Sequence, residues 1–237
     1  MILAAGLGTR LHPLTDSKPK ALVEIGGKAL LEIAILKMLN FGYNEIVINV
    51  HHYSSQIISF LEQNQNFGAQ VFISDESDIL LDTGGGLIKA AHFLKGDSPF
   101  LLYNVDILTD LDLFEMGNIH NQSANDTIAT LFVNERLSGR SLLINNESRL
   151  CGWKNNNTGE TKIPVPYGTL EPVSFCGIHI INPKIFNLIK NEGIFSMIDL
   201  YLSLCKDFRI HCWRNNKAKW LDVGTIENLA QAEKLFF

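Results

Sequence analysis

Apolar and polar positions along the first half of the chain form blocks that predict strands and helices in turn. A continuous apolar run at Phe100–Val105 is typical of a strand that is buried on both faces. Apolar residues recur at helical spacing in Leu30–Leu39. The pattern further predicts strands at Ile2–Ala5, Glu45–Val50 and Gln70–Ile73, and helices at Gln56–Gln63 and Gly86–Leu94. This alternation indicates a parallel sheet covered by helices.

The pattern changes after about residue 125, where short strand-like runs are separated by turn-rich segments. Asn155–Pro166 is rich in Asn, Gly, Thr and Pro and is predicted to be an exposed loop. Strands are predicted at Thr127–Val133, Ser141–Ile144, Arg149–Trp153 and Val173–Ile180, and helices at Pro183–Lys190, Ser196–Cys205 and Thr225–Phe236. Because there is neither an internal repeat nor a long linker, we expect a single α/β domain over 1–237, with halves at 1–125 and 126–237.

Composition narrows the class of protein. Hydrophobic residues make up 46% of the chain and charged residues 19%, which is typical of a folded domain with a sizeable core. The net charge of −5 lacks the basic excess of nucleic-acid-binding proteins. No apolar run approaches the roughly 20 residues of a membrane-spanning helix, and the four cysteines form no C-x-x-C pair. We expect a cytoplasmic protein with reduced thiols and small-molecule partners, and the oligomeric state stays open.

The segment that follows the first predicted strand is rich in glycine: residues 3–11 read LAAGLGTRL. Glycines at such a turn allow backbone N–H groups to approach a phosphate closely. Gly6 and Gly8 match the first two glycines of a dinucleotide-binding fingerprint, but Leu11 stands where the third would be. The segment is therefore either a phosphate-binding loop of another kind or a structural turn.

Charged residues near the predicted strand ends suggest which phosphate compound could bind. Arg10 and Lys20 follow the glycine-rich segment, and fixed cations there suit a triphosphate, although both could also be ordinary surface charges. Asp106 directly follows the buried strand, where ligands of open α/β sheets bind, and Asp222 ends another short strand. Two carboxylates brought together by the fold would suit Mg²⁺. A capping or turn role for Asp106 is the alternative.

A second glycine-rich segment reads LDTGGG at residues 81–86 and leads into a predicted helix. The N-terminus of a helix favours anions, and the glycines allow the backbone to pass close to a flat or charged ligand. A plain flexible turn is the alternative.

These segments, in this order, resemble the nucleoside-diphosphate-sugar pyrophosphorylase family. The matching stretches are GLGTRL at 6–11, PLT at 13–15, KPKAL at 18–22 and WLDVGT at 220–225. The resemblance covers essentially the whole chain. It implies a Rossmann-like three-layer α/β/α fold with a mixed, mostly parallel central sheet.

The resemblance also implies a reaction and roles for individual residues. A sugar 1-phosphate would attack the α-phosphorus of a nucleoside triphosphate, giving a nucleoside-diphosphate sugar and pyrophosphate, with the nucleotide bound by residues 1–125 and the sugar phosphate by residues 126–237. Arg10, Lys20 and Asp106 would be catalytic, and Asp106 and Asp222 would hold Mg²⁺. Nucleotide-binding roles fall on Ala4, Ala5, Gly6, Gly8, Thr9, Thr83, Gly84 and Gly85, and sugar-binding roles on Asn104, Lys154, Glu171 and Gly177.

Several alternatives stay open at this point. The resemblance points first to UTP with N-acetylmuramate 1-phosphate and second to GTP with mannose 1-phosphate, while a non-sugar acceptor such as phosphocholine keeps the same reaction. Val105 stands where the family has glycine, and it favours a non-catalytic regulatory subunit that binds nucleotide sugars. Leu11 argues against an NAD-dependent oxidoreductase.

Overall fold

The structure is a computed structural model, and it describes residues 1–166 and 168–237. The strands are, in chain order, β1 (Ile2–Leu3), β2 (Glu24–Ile25), β3 (Lys28–Ala29), β4 (Glu45–Val50), β5 (Gln70–Asp75), β6 (Phe100–Asn104), β7 (Ile107–Thr109), β8 (Thr127–Asn134), β9 (Arg140–Ile144), β10 (Leu150–Asn155), β11 (Thr161–Lys162), β12 (Glu171–Ile181), β13 (Arg209–Arg214) and β14 (Trp220–Asp222). The helices are α1 (Leu30–Asn40), α2 (Ser54–Gln63), α3 (Asp82–Lys89), α4 (Ala91–Leu94), α5 (Leu113–Gln122), α6 (Met197–Leu204) and α7 (Ile226–Phe236). Short 3₁₀ turns occupy Thr9–Leu11, Lys20–Leu22, Gln65–Gly68 and Pro183–Asn187.

The described chain divides into two compact units. Unit 1 consists of Met1–Phe93, Tyr103–Leu111 and Lys219–Phe237, and unit 2 consists of Leu94–Leu102 and Asp112–Ala218. The interpretation of 1–237 as one domain with two sequential halves stays a prediction.

Unit 1 is built on parallel strands. β1 pairs with β6 on one side and with β4 on the other, and β4 pairs with β5, all in parallel. Ile2 lies opposite Ile48 and Tyr103, and all three side chains are almost fully buried. Strands buried on both faces need the apolar composition that these segments have. The carboxyl ends of the strands lead into the glycine-rich segment, the segment before α3 and the turn that carries Asp106.

A small antiparallel pair completes the site end of unit 1. β14 pairs with β7 so that Asp222 lies opposite Ile107, the residue after Asp106. The backbone N–H of Val223 donates to the carbonyl oxygen of Asp106 over 2.9 Å. Residues more than a hundred positions apart are thereby fixed side by side.

Unit 2 is a mainly antiparallel sheet with helices packed on it. Its strand order is β11–β10–β9–β12–β8–β13, and among these pairs only β13 with β8 is parallel. Helix α5 contacts β8 and β12, and α6 contacts β10. Phe132 and Tyr201 are fully buried in this unit, and the hydroxyl of Tyr201 lies 2.7 Å from Nδ1 of His179. Parallel and antiparallel pairs together confirm the predicted α/β class with a mixed sheet.

Three predicted elements differ from the structure. Helix α3 begins at Asp82, four residues before the predicted start, and α4 follows as a separate turn. The predicted helix Pro183–Lys190 is only a 3₁₀ turn, Pro183–Asn187. The predicted loop Asn155–Pro166 contains β11, whose partner is β10. No helix within the described part of the chain is long and apolar enough to span a membrane.

Candidate functional site

The glycine-rich segment after β1 forms a tight turn. Gly8 has φ of 68°, a backbone conformation that residues with a Cβ rarely adopt. A Cβ at Gly8 would also lie 2.9 Å from the Cβ of Lys20 and 3.0 Å from Cγ2 of Thr15. At Gly6, by contrast, nothing lies within 4 Å of an ideal Cβ position. The turn is therefore fixed at Gly8 and leaves open space beside the backbone at Gly6.

Lys20 forms an ion pair with Asp106. The Nζ of Lys20 donates to Oδ2 of Asp106, and the two side chains are only 15% and 9% exposed. Lys20 lies at the start of a 3₁₀ turn, and Asp106 lies in the turn between β6 and β7. A pair so well shielded from water interacts more strongly than a surface pair. Removal of either partner would leave an uncompensated charge.

Arg10 and Asp222 form a second, more exposed pair. Nη2 of Arg10 lies 3.7 Å from Oδ2 of Asp222, and the side chains are 62% and 34% exposed. The backbone N–H of Gly224 donates to Oδ1 of Asp222 over 2.7 Å. Burial raises the pKa of Asp222, and the negative charge of Asp106 raises it further. The two aspartates are thus within electrostatic reach of each other.

The structure brings together all four charged residues that the sequence singled out in unit 1: Arg10, Lys20, Asp106 and Asp222. Within residues 1–166 and 168–237, no cluster of three or more His, Cys, Asp or Glu side chains is arranged to hold a metal ion. Two carboxylates are nevertheless a common protein contribution to Mg²⁺ when substrate phosphates complete the coordination. The arrangement of two cations beside two carboxylates suits the binding and transfer of phosphate groups.

Val105, which replaces the glycine usual in the family, lies in the core. Its side chain is 2% exposed, and its backbone N–H donates to the carbonyl oxygen of Leu3 over 3.2 Å. A side chain buried to this extent presents little surface to a ligand. Its neighbour Asn104, a predicted sugar contact, is half-buried at the end of β6.

A buried polar bridge that no sequence motif predicted joins the two glycine-rich segments. The backbone N–H of Ala4 donates to Oδ1 of Asn49 over 2.7 Å, and Nδ2 of Asn49 donates to Oε1 of Glu76 over 2.7 Å. Oε2 of Glu76 accepts from the backbone N–H of Leu81 over 3.3 Å. Glu76 is fully buried, and burial raises its pKa. The only sequence signal was a polar residue within or just after an apolar strand.

The second glycine-rich segment packs against this bridge. Gly84, Gly85 and Gly86 lie in the first turns of α3 and are buried. A Cβ at Gly86 would lie 2.6 Å from Oε1 of Glu76 and 3.0 Å from Nδ2 of Asn49. A larger residue at this position would therefore have to displace the side chains of Glu76 and Asn49 from their present positions.

The remaining predicted sugar contacts lie in unit 2. The carboxylate of Glu171 accepts from Nη2 of Arg214 over 2.6 Å at the surface. Lys154 lies on β10 opposite Ser141, and Gly177 has φ of 76° within β12. Their roles stay predictions.

Unit 2 contains a cavity of about 390 Å³ between the strands β9 and β10 and the start of α6. Two aromatic side chains, Trp153 and Phe175, line it together with the charged residues Arg140, Lys162 and Asp199. Lys154, Glu171 and Gly177 do not line it, although Trp153 and Phe175 lie within two residues of Lys154 and Gly177. The cavity is within the size range of small-molecule sites.

Other ionisable groups of unit 2 are held neutral by burial. All four cysteines are free and buried, and burial raises the pKa of Cys176 to about 12 and of Cys205 to about 11. Burial lowers the pKa of His120 to about 4 and of His179 to about 3. These groups are core residues, and none of them lines the cavity.

Known proteins match the chain along its whole length. A family model described as nucleotidyl transferase matches residues 1–139. An N-acetylmuramate alpha-1-phosphate uridylyltransferase of Caulobacter vibrioides is 31% identical, over 98% of this chain and 94% of that protein. A mannose-1-phosphate guanyltransferase of Aspergillus oryzae is 28% identical over 100% of this chain, which spans 63% of the length of that protein.

Solved structures show the same fold. A UDP-glucose pyrophosphorylase of Acinetobacter baumannii superposes with a TM-score of 0.79, at 18% identity, over 99% of this chain and 91% of the other. This likeness confirms the predicted Rossmann-like fold with a mixed, mostly parallel central sheet.

Proposed function

Because this chain belongs to the nucleotidyl transferase family, we propose that it transfers the uridylyl group of UTP to N-acetylmuramate 1-phosphate. The chain is a sugar-1-phosphate nucleotidyltransferase, which confirms the resemblance seen in the sequence. The observation that carries the proposal is the pairing of Lys20 with Asp106 and of Arg10 with Asp222 at the strand ends of unit 1. The Caulobacter relative, at 31% identity, supports the choice of substrates.

In the proposed reaction, an oxygen of the sugar phosphate attacks the α-phosphorus of UTP. The new P–O bond forms as the bond from the α-phosphorus to the α–β bridging oxygen breaks, and its electron pair leaves with pyrophosphate. The products are a UDP-sugar and pyrophosphate, and no covalent intermediate with the enzyme is needed. Catalysis of such a step rests on positioning and on stabilisation of charge.

Arg10 and Lys20 stabilise the negative charge in this proposal. Charge accumulates on the departing pyrophosphate, and positioned cations lower the energy of that state more than that of the ground state. Lys20 is largely shielded from water, where its charge acts with little screening, while Arg10 is exposed and can follow a ligand.

Asp106 and Asp222 fit a Mg²⁺ ion. The backbone N–H of Val223 donates to the carbonyl oxygen of Asp106, so the two aspartates are neighbours across the β7–β14 pair, and the charge of Asp106 raises the pKa of Asp222. Such a pair of oxygen donors suits one Mg²⁺ ion. When bound, Mg²⁺ would neutralise charge on the nucleotide phosphates. The two carboxylates would hold the ion, and Gly224 fixes the orientation of Asp222 through its backbone N–H.

The remaining assignments are proposals on the same footing. Phosphate and base contacts are assigned to Ala4, Ala5, Gly6, Gly8, Thr9, Thr83, Gly84 and Gly85, and sugar contacts to Asn104, Lys154, Glu171 and Gly177. Because the N–H of Ala4 is engaged by Asn49, the backbone N–H groups that follow it are the better phosphate donors. We also propose a cytoplasmic protein without nucleic-acid or membrane partners.

A second candidate is transfer of a guanylyl group from GTP to mannose 1-phosphate. The full-length match to the Aspergillus guanyltransferase supports it. A regulatory subunit without turnover is disfavoured, because the four charged residues are present and Val105 is buried.

The test is pyrophosphate release in the presence of Mg²⁺ with UTP or GTP, each combined with N-acetylmuramate 1-phosphate or mannose 1-phosphate. We expect release with UTP and N-acetylmuramate 1-phosphate, and a UDP-sugar identified by mass spectrometry. Release with GTP and mannose 1-phosphate alone would replace the first candidate by the second. Tight nucleotide-sugar binding without release from any pair would support the regulatory subunit.

A further inference from the structure

The lining of the unit 2 cavity combines aromatic, hydroxyl and charged side chains. Its apolar part includes Trp153, Phe175 and Leu142, and hydroxyl groups are present at Ser138 and Ser196. Aromatic faces pack against the C–H face of a sugar ring, and hydroxyl groups match its polar edge. The volume of about 390 Å³ suits one substituted monosaccharide.

The charges in this cavity do not cancel. Nζ of Lys162 lies 3.7 Å from Oδ1 of Asp199 and 5.5 Å from the centre of the Trp153 ring. Oγ of Ser196 donates to Oδ2 of Asp199 over 2.7 Å. Asp199 thus balances Lys162, and a second cation, Arg140, remains in the lining.

Arg140 lies at the start of β9 and is exposed. Its backbone N–H contacts Oγ of Ser138 over 3.4 Å, but within residues 1–166 and 168–237 its guanidinium makes neither a hydrogen bond nor an ion pair. A guanidinium offers a planar, two-pronged donor that matches a carboxylate. The cavity therefore combines an apolar sugar face with one cation that has no carboxylate of its own.

We propose that the sugar ring of the acceptor lies in this cavity, in place of the contacts assigned above to Lys154, Glu171 and Gly177, and that Arg140, with Lys162 beside it, selects a sugar that carries a carboxylate. The inference rests on the proposed function, because it concerns the acceptor of that reaction. N-acetylmuramate 1-phosphate has two anionic groups, a phosphate and the carboxylate of its lactyl ether. Arg140 matches the carboxylate, which mannose 1-phosphate lacks.

The test compares two acceptors that differ only in the lactyl ether, N-acetylmuramate 1-phosphate and N-acetylglucosamine 1-phosphate. Arg140→Gln removes the charge at an exposed position, and Lys190→Gln removes an exposed charge of unit 2 outside the cavity as the control. We expect Arg140→Gln to lower the ratio of the two kcat/KM values roughly 10- to 100-fold, the range of a charge-assisted hydrogen bond. The KM for UTP and the ratio in Lys190→Gln stay unchanged. An equal loss for both acceptors, or no loss, would overturn the inference.

A binding measurement separates this inference from the proposed function. Free N-acetylmuramate and free N-acetylglucosamine lack the phosphate and cannot react, so their affinities can be measured by calorimetry with UTP and Mg²⁺ present. If no pyrophosphate is released from any substrate pair but N-acetylmuramate binds the wild type and binds Arg140→Gln at least tenfold more weakly, the cavity assignment stands while the reaction is wrong. Equal affinities for the two sugars in the wild type, or no binding of either, would refute the cavity assignment itself.

Discussion

The charged residues of unit 1 and those of the unit 2 cavity differ in how the protein itself neutralises them. In unit 1 both cations of the site have a carboxylate partner, Lys20 with Asp106 and Arg10 with Asp222. In the cavity, among the residues described, the guanidinium of Arg140 has none. The buried pair of Lys20 and Asp106 is held in place before any ligand binds, as preorganised catalysis requires. A cation without a protein partner is suited to selecting an anionic group.

Under the two proposals, the two regions have different tasks. The charges of unit 1 match groups that every nucleoside triphosphate has, and they should govern turnover. The cavity matches groups that differ between acceptors, and it should govern which sugar is used. Relatives that are named for different sugars and bases, such as the uridylyltransferase and the guanyltransferase, share the family despite this divergence.

Lys20→Met is expected to have the largest effect, and it acts on turnover. Loss of one preorganised electrostatic stabiliser typically lowers kcat by on the order of 10²–10³. The exposed Lys28→Met in the same unit is the matched control and should retain wild-type turnover. Near-wild-type kcat in a folded Lys20→Met protein would mean that the charged residues of unit 1 do not take part in the reaction. Because the substitution leaves Asp106 without its partner, urea unfolding is used to check that the variant is folded.

Glu76→Gln should weaken the binding of UTP and leave the choice between acceptors unchanged. The N–H of Ala4 fixes Oδ1 of Asn49, so Nδ2 of Asn49 faces Glu76, and both oxygens of Glu76 accept hydrogen bonds. A glutamine offers only one acceptor and leaves a buried donor facing another donor, which costs about 1–3 kcal/mol. We expect the KM for UTP to rise roughly tenfold. The ratio of kcat/KM for N-acetylmuramate 1-phosphate to kcat/KM for N-acetylglucosamine 1-phosphate should stay unchanged.

The exposed Glu62→Gln serves as the control for this substitution. If Glu76→Gln instead lowers the ratio of the two acceptor kcat/KM values and leaves the KM for UTP unaltered, the hydrogen bonds of Glu76 stabilise the binding of the sugar and not that of UTP.

His120→Asn tests whether burial keeps an imidazole of unit 2 neutral. Unit 1 buries the charged pair of Lys20 and Asp106, whereas unit 2 buries the imidazoles of His120 and His179. The unfolded imidazole takes up a proton near pH 6.5, but burial lowers the folded pKa to about 4. Between these values the unfolded state binds more protons, so stability falls as the pH falls. Replacement by a neutral amide should reduce this dependence by about 1.4 kcal/mol per pH unit.

The measurement is the free energy of unfolding in urea at pH 6.0 and pH 5.0 for the wild type and His120→Asn. Glu76 and Asp222 have raised pKa values, which make stability rise as the pH falls. Because both proteins contain these two residues, the difference between their pH dependences gives the contribution of the His120 imidazole alone. Identical pH dependence in the two proteins would show that the imidazole is accessible to protons in the folded state.

Val105→Gly should have the smallest effect on turnover. The valine side chain is 2% exposed, so its removal should leave kcat within about threefold while lowering stability by about 2–4 kcal/mol through the cavity left behind. Rates measured below the unfolding temperature distinguish the two effects. A large gain in kcat would instead mean that Val105 crowds the substrate site.

The sequence predicted the parts of the fold that depend on local pattern. The continuous apolar run of β6 and the apolar β4 were predicted because strands buried on both faces need that composition. The strand β13 was not, because its sequence RIHCWR mixes charged and aromatic residues and is stabilised by pairing with β8. Helix α3 starts at Asp82, earlier than predicted, because the low helix propensity of its three glycines pointed to a later start.

The site was predictable to the extent that it lies in short motifs. Arg10, Lys20, Asp106 and Asp222 stood out through their place after strands or glycines, and the structure brings them together. The link between Asn49 and Glu76 depends on contacts across the parallel sheet that no spacing rule encodes. The cavity around Arg140 likewise depends on how α6 packs against β10.

The central claim is tested most directly by the initial rate of pyrophosphate release from UTP, N-acetylmuramate 1-phosphate and Mg²⁺, in the wild type and in Asp106→Asn. The account predicts release by the wild type only when the sugar phosphate is present, and a rate at least about 100-fold lower in folded Asp106→Asn protein. Equal rates in the two proteins, or release by the wild type without the sugar phosphate, would contradict it.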